Sequence, residues 1–236
     1  MIALLRCIKS DFYKLKHTSI LWIHLLIPLA GAFVFLLYYH VTIRNTIMDI
    51  GYYLEILAIT FPLLIGLISG IVIEQEEQAG NFQVMLCSEK SKCTTYLSKL
   101  ILLLLLGSFS IILAVGTFAI GFQALPYLFY LKAAGALVLG NIFIYSLHVF
   151  ISLQFGKGAS TGLGIFGSVI SALMITSVGD NIWQWIPWAW SVRLCLSAET
   201  AFDTQKGLII ILFTICIIFV ASLFWFEKWE GRKSYD

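Results

Sequence analysis

The sequence is a strongly apolar chain of 236 residues, of which 60% are hydrophobic and only 12% are charged. Its mean hydropathy of +0.93 excludes an ordinary soluble domain, in which roughly a quarter of the residues carry charge. The net charge of +2 is too small to indicate a nucleic-acid-binding surface. The composition predicts an all-α integral membrane protein.

The first predicted element is an amphipathic helix within residues 1–18. Basic side chains lie largely on one face of this helix, and apolar side chains lie on the other. The apolar face consists of Leu5, Ile8, Phe12 and Leu15. This pattern is typical of a helix that lies in the membrane interface. A polar lead-in to the first membrane span is the alternative interpretation.

Six apolar segments follow, and each approaches the roughly 20 residues that cross the hydrocarbon core as a helix. They cover residues 19–39, 54–73, 97–120, 133–155, 160–178 and 208–226. We therefore predict a single transmembrane domain over residues 1–236. It divides into an interfacial helix at 1–18, a six-span bundle at 19–226 and a tail at 227–236.

The basic residues are distributed unequally between the two ends of this predicted bundle. With both termini on the same side, 11 of the 15 Lys and Arg residues fall on that side and 4 on the other. Positive charge favours the cytoplasmic side, so we predict a multi-pass protein of the cell membrane with both termini in the cytoplasm. The segment that begins at Glu74 then lies inside, and the longest outer loop covers residues 179–207.

Two predicted spans carry small residues at intervals of four positions. Gly66 and Gly70 lie in the second span, and Ser160, Gly164 and Ser168 share one face of the fifth span. Small side chains let two helix backbones approach closely in a membrane. We therefore expect these positions to lie at contacts between helices.

Residues with catalytic chemistry are scarce in the spans. Asn141 and His148 share one face of the fourth span, where they either line a polar pathway or hydrogen-bond to neighbouring helices. A membrane enzyme that uses His148 is an alternative, although the sequence contains no HExxH motif. The five cysteines contain no CxxC pair, so we expect no metal site. Ile151 stands where a P-loop that ends at Gly156-Lys157 requires its first glycine, so we expect no nucleotide site.

The longest outer loop holds a tryptophan-rich segment. Four of the seven tryptophans lie between residues 183 and 190. Indole rings prefer the headgroup level of a membrane, so an aromatic belt is one interpretation. A contact site or lateral gate for an amphiphilic substrate is the other. The residues of this candidate site are Trp183, Trp185, Pro187, Trp188, Trp190 and Arg193.

A polar segment between the second and third spans is the most distinctive cytoplasmic feature. Its acidic part is followed by three apolar residues that fall on one helical face, which predicts a short helix. Such a helix can insert its apolar side chains into a groove of a soluble partner. An ordinary solvated loop is the alternative. The residues concerned are Glu74, Glu76, Glu77, Gly80, Asn81, Phe82, Met85 and Leu86.

In this arrangement the chain resembles the type-2 ABC export permeases, and most closely the permease subunits of lantibiotic self-immunity transporters of the LanFEG type. Residues 74–86 look like the family's acidic coupling segment, and residues 185–194 look like its stretch before the sixth span. The resemblance implies six transmembrane helices with an N-terminal interfacial amphipathic helix. It also implies a cytoplasmic coupling helix between spans 2 and 3, and a Trp-rich re-entrant outer segment before span 6.

The resemblance further implies a transport subunit with no catalytic residue and no cofactor of its own. ATP and Mg would be bound by the dimer of a cytoplasmic ABC ATPase, and a second permease, the same chain or a related one, would complete the translocation unit. The expected substrate is an amphiphilic antimicrobial peptide, which is removed from the membrane to protect a bacterial cell. Alternatives are another amphiphile, such as a bacitracin-like drug or a lipid, and a non-transporting peptide-binding immunity or sensor protein.

Overall fold

The computed structural model describes residues 2–42, 47–87, 91–196 and 201–232. Within these ranges the regular elements are all helical, which confirms the predicted all-α class. Two short 3₁₀ turns, Ser177–Gly179 and Trp183–Trp185, lie between the last two long helices. The α-helices are α1 (Ile2–Lys16), α2 (Ile20–Val41), α3 (Ile47–Gln78), α4 (Gln83–Cys87), α5 (Lys92–Gly121), α6 (Tyr127–Leu173), α7 (Pro187–Leu196) and α8 (Ala201–Lys228).

Five of the described helices are long and apolar enough to cross a membrane. They are α2, α3, α5, α6 and the Gly207–Lys228 part of α8. The count is one lower than the predicted six because two predicted spans, residues 133–155 and 160–178, fall within the single 47-residue element α6. The helix α3 also extends beyond the predicted span at both ends, so that the first acidic residues of the polar segment are helical.

The element α6 is a hairpin rather than a straight rod. Its helical geometry is interrupted at Gly156, whose φ of 89° is readily adopted only by glycine. The side chains of His148 and Ser160 hydrogen-bond across the interruption, with 3.0 Å between Nδ1 and Oγ. Twelve residues of straight helix would separate them by roughly 18 Å. The chain therefore reverses at Gly156, between a first arm (residues 127–155) and a second arm (residues 157–173).

The closest helix contacts join α3 to the second arm of α6. A Cβ atom added to Gly66 would lie 2.6 Å from the carbonyl oxygen of Ser160, and one added to Gly164 would lie 2.8 Å from that of Pro62. The two backbones thus touch at positions where only glycine fits. Gly70 packs equally closely on Lys157. The prediction that these glycines lie at helix contacts is confirmed.

One end of the bundle gathers most of the described charged residues, and we call it the polar end. It consists of α1, residues 74–87, the reversal at Gly156 and residues 227–232, which are joined by the ion pairs described below. The chain's N-terminal helix and its tail therefore lie at the same end of the bundle. Lys90 and Lys233, which also enter the charge count for this end, lie outside the described residues, as does Arg44 of the opposite end.

The helix α1 packs on the polar end through Asp11 and Leu15, and part of its predicted apolar face stays exposed. Asp11 and Leu15 are buried, whereas Leu5 and Phe12 are 60% and 42% exposed. The helix turns this way because Asp11 forms an ion pair with Lys99 of α5. Leu5 and Phe12 are left free to contact lipid, so the interfacial position of α1 stays a prediction.

Candidate functional site

The acidic residues at the end of α3 form ion pairs with four different parts of the chain. Their basic partners come from α1, from α5, from the start of the second arm of α6 and from the tail after α8. The pairs are Glu74–Lys157, Glu76–Lys14, Glu76–Lys99 and Glu77–Arg232, with N–O distances of 2.9, 2.8, 2.7 and 2.6 Å. The end of α3 is therefore tied by ion pairs to all four parts.

Glu76 lies at the centre of this cluster. Its side chain is 4% exposed, and Lys99 is buried between it and Asp11. The hydroxyl of Ser98 also donates to Asp11. Two buried carboxylates around one buried ammonium group, with the half-exposed Lys14 at the edge, hold α1, α3 and α5 together. Removing one charge from such a buried set leaves another charge without its partner, which is strongly destabilising.

A tight turn separates α3 from α4. Gly80, Asn81 and Phe82 all have positive φ, at 134°, 50° and 66°. The N–H groups of Asn81 and Phe82 donate to the carbonyls of Glu77 and Glu76, which would otherwise lack partners at the helix end. A positive φ is strained for a bulky residue such as Phe82, at a cost on the order of 1–3 kcal/mol. The burial of the Phe82 ring offsets this cost.

The predicted partner-facing apolar side chains point into the chain instead. Phe82 and Met85 are 1% and 2% exposed, and the Phe82 ring packs edge-on against Trp229, with 5.0 Å between the centroids. Burying such a side chain stabilises the fold by roughly 1.5–3 kcal/mol, so the apolar face folds back on its own chain. Leu86 is half-buried. The exposed residues, which we call the exposed tip, are Gln78, Ala79, Gly80, Asn81, Gln83, Val84 and Cys87.

Two of the four tryptophans in the Trp-rich segment are part of the core. Trp183 and Trp190 are 7% and 1% exposed and pack with Met174 and Ile211. The indole N–H of Trp190 also donates to the Gln184 carbonyl at 2.9 Å. These two rings are not placed to contact a substrate, contrary to the prediction. Their own chain offers enough apolar surface to bury them, and burial of a large aromatic ring is strongly favoured.

The other two tryptophans remain nearer the surface. Trp185 is 72% exposed, and Trp188 is half-buried with its ring edge-on to Phe166. Pro187 begins α7, a position that suits a residue without an N–H group. Of the predicted aromatic contact residues, Trp185 is the one that the structure leaves largely free.

Arg193 holds the end of the second arm of α6. Its Nε and Nη2 donate to the carbonyls of Met174 and Thr176 at 2.6 and 2.7 Å, and its Nη1 pairs with Asp180 at 2.9 Å. A cation at this position satisfies orphan carbonyls and complements the negative end of the helix. The guanidinium group therefore has a structural role, because all three of its nitrogens contact the chain's own acceptors.

The helix α7 lies in the cleft between the two arms of α6. The Ser171 hydroxyl of the second arm donates to the Trp188 carbonyl at 2.8 Å, and the Ser191 hydroxyl donates to Asn141 Oδ1 of the first arm at 3.2 Å. A Cβ atom added to Gly140 would lie 2.5 Å from Ser191 Oγ. The loop thus folds back along the bundle, and its re-entry into the membrane stays a prediction.

The two candidate polar-pathway residues contact different neighbours. Asn141 is 2% exposed and bonds to α7, whereas His148 is fully buried and bonds to Ser160 of the second arm. These contacts favour the interpretation that both side chains hydrogen-bond between helices. The prediction of a shared pathway has no support from their positions.

The Ser160 contact also bears on the alternative of a membrane enzyme. Residues 158–162 read Gly-Ala-Ser-Thr-Gly, a match to the hydrolase pattern GxSxG that the sequence reasoning missed. Ser160 lies inside a helix rather than on a sharp strand-to-helix turn, and it is fully buried. Its hydroxyl donates to the Gly66 carbonyl at 2.8 Å, so it accepts from His148. The Ser160–His148 pair is thus a packing contact without access to a substrate.

An apolar cavity of about 110 Å³ opens between α2 and α3. Its walls include Ile27 and Gly31 of α2 and Ile56 and Thr60 of α3. His24 also lines it, and within the described residues the Nε2 atom of His24 has no hydrogen-bond partner. No sequence pattern indicates this cavity, because most of its lining residues are apolar residues of the spans.

The sequence of residues 7–172 matches the family model described as ABC-2 family transporter protein. The match covers 166 of the 236 residues. The chain belongs to this family. No curated protein matches it. The resemblance to the type-2 ABC permeases is therefore confirmed at the level of the ABC-2 family.

An ABC-2 family protein is the membrane component of an ABC transporter. The chain is therefore a transport subunit and not an enzyme, and ATP hydrolysis lies on a separate nucleotide-binding partner. The matched residues include α1 from Cys7 onward, the ion-paired end of α3 and the exposed tip. The Trp-rich segment and the tail lie beyond the matched residues, so their roles in an ABC-2 permease remain predictions.

Proposed function

We propose that this ABC-2 permease is the membrane subunit of an ATP-driven exporter that removes lantibiotic-type antimicrobial peptides from the cell membrane. One observation carries the coupling part of the proposal. In a chain whose ATPase is a separate protein, the exposed tip stands on a helix end that is ion-paired to four parts of the bundle. The peptide substrate is supported by the resemblance of residues 74–86 and 185–194 to the LanFEG permeases.

In this proposal, different residues of the coupling segment, residues 74–86, have different roles. The exposed tip, including Gly80 and Asn81, contacts the ATPase. Phe82, Met85 and Leu86 anchor the tip to the chain, and the three glutamates pass its movement to the bundle. This assignment is supported by the inward packing of the apolar residues and by the ion pairs.

The proposed topology has six membrane crossings and both termini in the cytoplasm. The reversal at Gly156 supports six crossings, because each arm of α6 then crosses once. The cytoplasmic placement of the polar end is supported by the basic residues gathered there. The Trp-rich segment then re-enters from the outer side, and Trp185 is the residue proposed to meet an amphiphile arriving in the outer leaflet.

The working transporter is proposed to contain two permease chains and an ATPase dimer. One ABC-2 chain of this size supplies half of the translocation unit, and its partner is either a second copy or a related permease. ATP and Mg bind to the ATPase dimer, and this chain holds no cofactor. Lipid surrounds the permease, with α1 at the cytoplasmic interface.

The experiment that tests this function compares cells expressing the chain with its ATPase and cells carrying an ATPase variant that binds but does not hydrolyse ATP. We expect protection against a lantibiotic with the first pair and loss of protection with the second. Assembly of both complexes is checked by co-purification. Protection that persists without hydrolysis would contradict the proposal and favour a peptide-binding immunity or sensor protein.

A lipid or another amphiphile is a second candidate substrate, and the cavity between α2 and α3 favours it. The cavity lining on α3 runs from Tyr53 to Ile68, which is roughly 22 Å of helix and comparable to an extended acyl chain. Transport into or out of proteoliposomes, with a fluorescent lipid and a labelled lantibiotic as rival substrates, separates the candidates. ATP-dependent movement of the lipid alone would replace the peptide assignment.

A further inference from the structure

The tail after α8 folds back over the coupling segment. Trp229 packs its ring on Phe82 and stacks on Phe226, with 5.0 and 5.4 Å between the ring centroids. Lys92, the first residue of α5, donates to the Trp229 carbonyl at 2.9 Å. These contacts fix the course of residues 229–232 between the tight turn after α3 and the reversal of α6.

Arg232 is the residue of this tail that contacts both the coupling segment and the first arm of α6. Its Nη1 donates to Glu77 Oε1 at 2.6 Å, and its Nη2 donates to the Ser152 carbonyl at 2.8 Å. The guanidinium carbon also lies 5.6 Å from the centroid of the Phe82 ring, within the range of a cation–π contact. One side chain thus joins the coupling segment to the first arm of α6.

The position of Arg232 at Gly156 explains why a cation is needed there. The interruption at Gly156 leaves carbonyls at the end of the first arm without helical partners. Arg232 supplies a donor to them, and a positive group at a helix C-terminus is electrostatically favourable. A Cβ atom added to Gly156 would lie 3.2 Å from Nη1 of Arg232. The guanidinium group therefore lies directly against the point where α6 reverses.

The described ion pairs of the coupling segment reach different elements. Glu74 reaches the second arm of α6 through Lys157, and Glu76 reaches α1 and α5. Within the described residues, the pair of Glu77 with Arg232 is the one that continues to the first arm. Movement of the tip therefore has an ionic route to the first arm through the tail.

We propose that Arg232 is a positioning residue that transmits displacement of the exposed tip to the first arm of α6 at Gly156. This inference rests on the proposed coupling role of residues 74–86. An arginine suits the task because its planar fork donates from separate nitrogens to a carboxylate and a carbonyl. A lysine has the same charge but a single ammonium centre, so it cannot bridge the two acceptors in the same way.

The test uses the full complex with its ATPase in nanodiscs. One spin label at Gln75, which lies outside the exposed tip, reports the end of α3 that carries the tip, and one at Phe155 reports the first arm. Each is paired with a reference label at Ile112 of α5; Gln75 is half-buried, and Phe155 and Ile112 are exposed. In the parent complex we expect ATP to shift both distances. In Arg232→Lys the Gln75 shift persists and the Phe155 shift is lost.

Two further variants separate transmission from folding. Glu77→Gln removes the carboxylate partner of Arg232 and is expected to reduce the Phe155 shift, while Arg232 keeps its hydrogen bond to the Ser152 carbonyl. Lys228→Gln removes a positive charge from an exposed tail position and is expected to change neither shift. Monodisperse complexes with normal basal ATP turnover are required for every variant.

The outcomes distinguish this inference from the proposed function. Arg232→Lys with both shifts intact would overturn the role of Arg232. Absence of a Gln75 shift in the parent complex would overturn the coupling role and this inference with it. Both shifts in the parent, their separation in Arg232→Lys and no lantibiotic protection would leave the inference standing and reject the peptide substrate.

Discussion

Lys99 is the residue on which the polar end depends most. Its ammonium group lies 2.9 Å from Asp11 Oδ1 and 2.7 Å from Glu76 Oε1, and all three side chains are buried. Taking charges out of water is costly, and the pairing offsets that cost only while every partner is present. The residue type and its place near the start of a span gave no sign of this role.

We expect Lys99→Met to destabilise the protein by about 3–5 kcal/mol, because it removes the buried cation and leaves the two buried carboxylates with only the half-exposed Lys14. The measurement is the midpoint of thermal unfolding in detergent, read from the monodisperse fraction. Lys9→Met is the matched control, since Lys9 is exposed on the same polar end. Equal midpoints for the two variants would mean that the buried pair contributes little.

The residue-scale expectations that were wrong share one physical cause. Phe82, Met85, Trp183 and Trp190 were expected to face a partner or substrate, and all four are buried. Their residue types and local spacing are readable from sequence, but the surface that covers them is remote in the chain. Trp229, for example, covers Phe82 from the far end of the sequence. Which way an apolar face turns depends on such tertiary partners.

At the scale of elements, close helix contact at the small residues was predictable and the hairpin was partly so. The pairing of α3 with the second arm of α6 was not predictable. Small residues at intervals of four indicated close contact at Gly66 and Gly164, and the structure has it. The fourth and fifth predicted segments, residues 133–155 and 160–178, were divided where the structure reverses at Gly156, although both belong to the single element α6. Helix ends were less predictable, because the end of α3 is stabilised by ion pairs rather than by local signals.

Gly66→Ala is expected to destabilise the protein by roughly 1–3 kcal/mol, because its methyl group would press on the Ser160 carbonyl. Gly162→Ala is the control, since nothing lies within 4 Å of a Cβ atom at that position in the same packed arm. Alanine there is expected to be neutral or to stabilise by up to about 1 kcal/mol through helix propensity. The measurement is the midpoint of thermal unfolding of both variants. A Gly66→Ala variant as stable as the parent protein would contradict the close packing.

The short helix α4 presents a different face to a partner from the one that its sequence indicates. We expect Val84→Asp to abolish co-purification of the ATPase while leaving thermal stability unchanged, because Val84 is 56% exposed. Phe82→Ala is expected to cost about 3–5 kcal/mol of stability, because it removes a buried ring. Intact co-purification with Val84→Asp would move the contact with the ATPase away from the tip.

At the scale of the whole molecule, the reversal at Gly156 determines which loops lie on each side of the membrane. If α6 crosses the membrane twice, Cys87 and a cysteine at Gly158 react from the same side, and a cysteine at Val178 reacts from the other. Each is introduced or kept as the single cysteine and probed with a membrane-impermeant thiol reagent in oriented vesicles. Labelling of Val178→Cys from the side of Cys87 would contradict the six-crossing topology and its positive-inside orientation.

The uncharged surface of the exposed tip predicts how the complex between the permease and its ATPase responds to rising ionic strength. The carboxylates beside it are already neutralised within the chain, and its described side chains carry no formal charge. Docking through the tip would then rest on shape and short-range contact, which dissolved ions screen very little. We expect the complex to withstand washing at about 1 M salt, where the screening length falls to roughly 3 Å. A complex that dissociates there would owe its cohesion to long-range attraction between charged surfaces elsewhere.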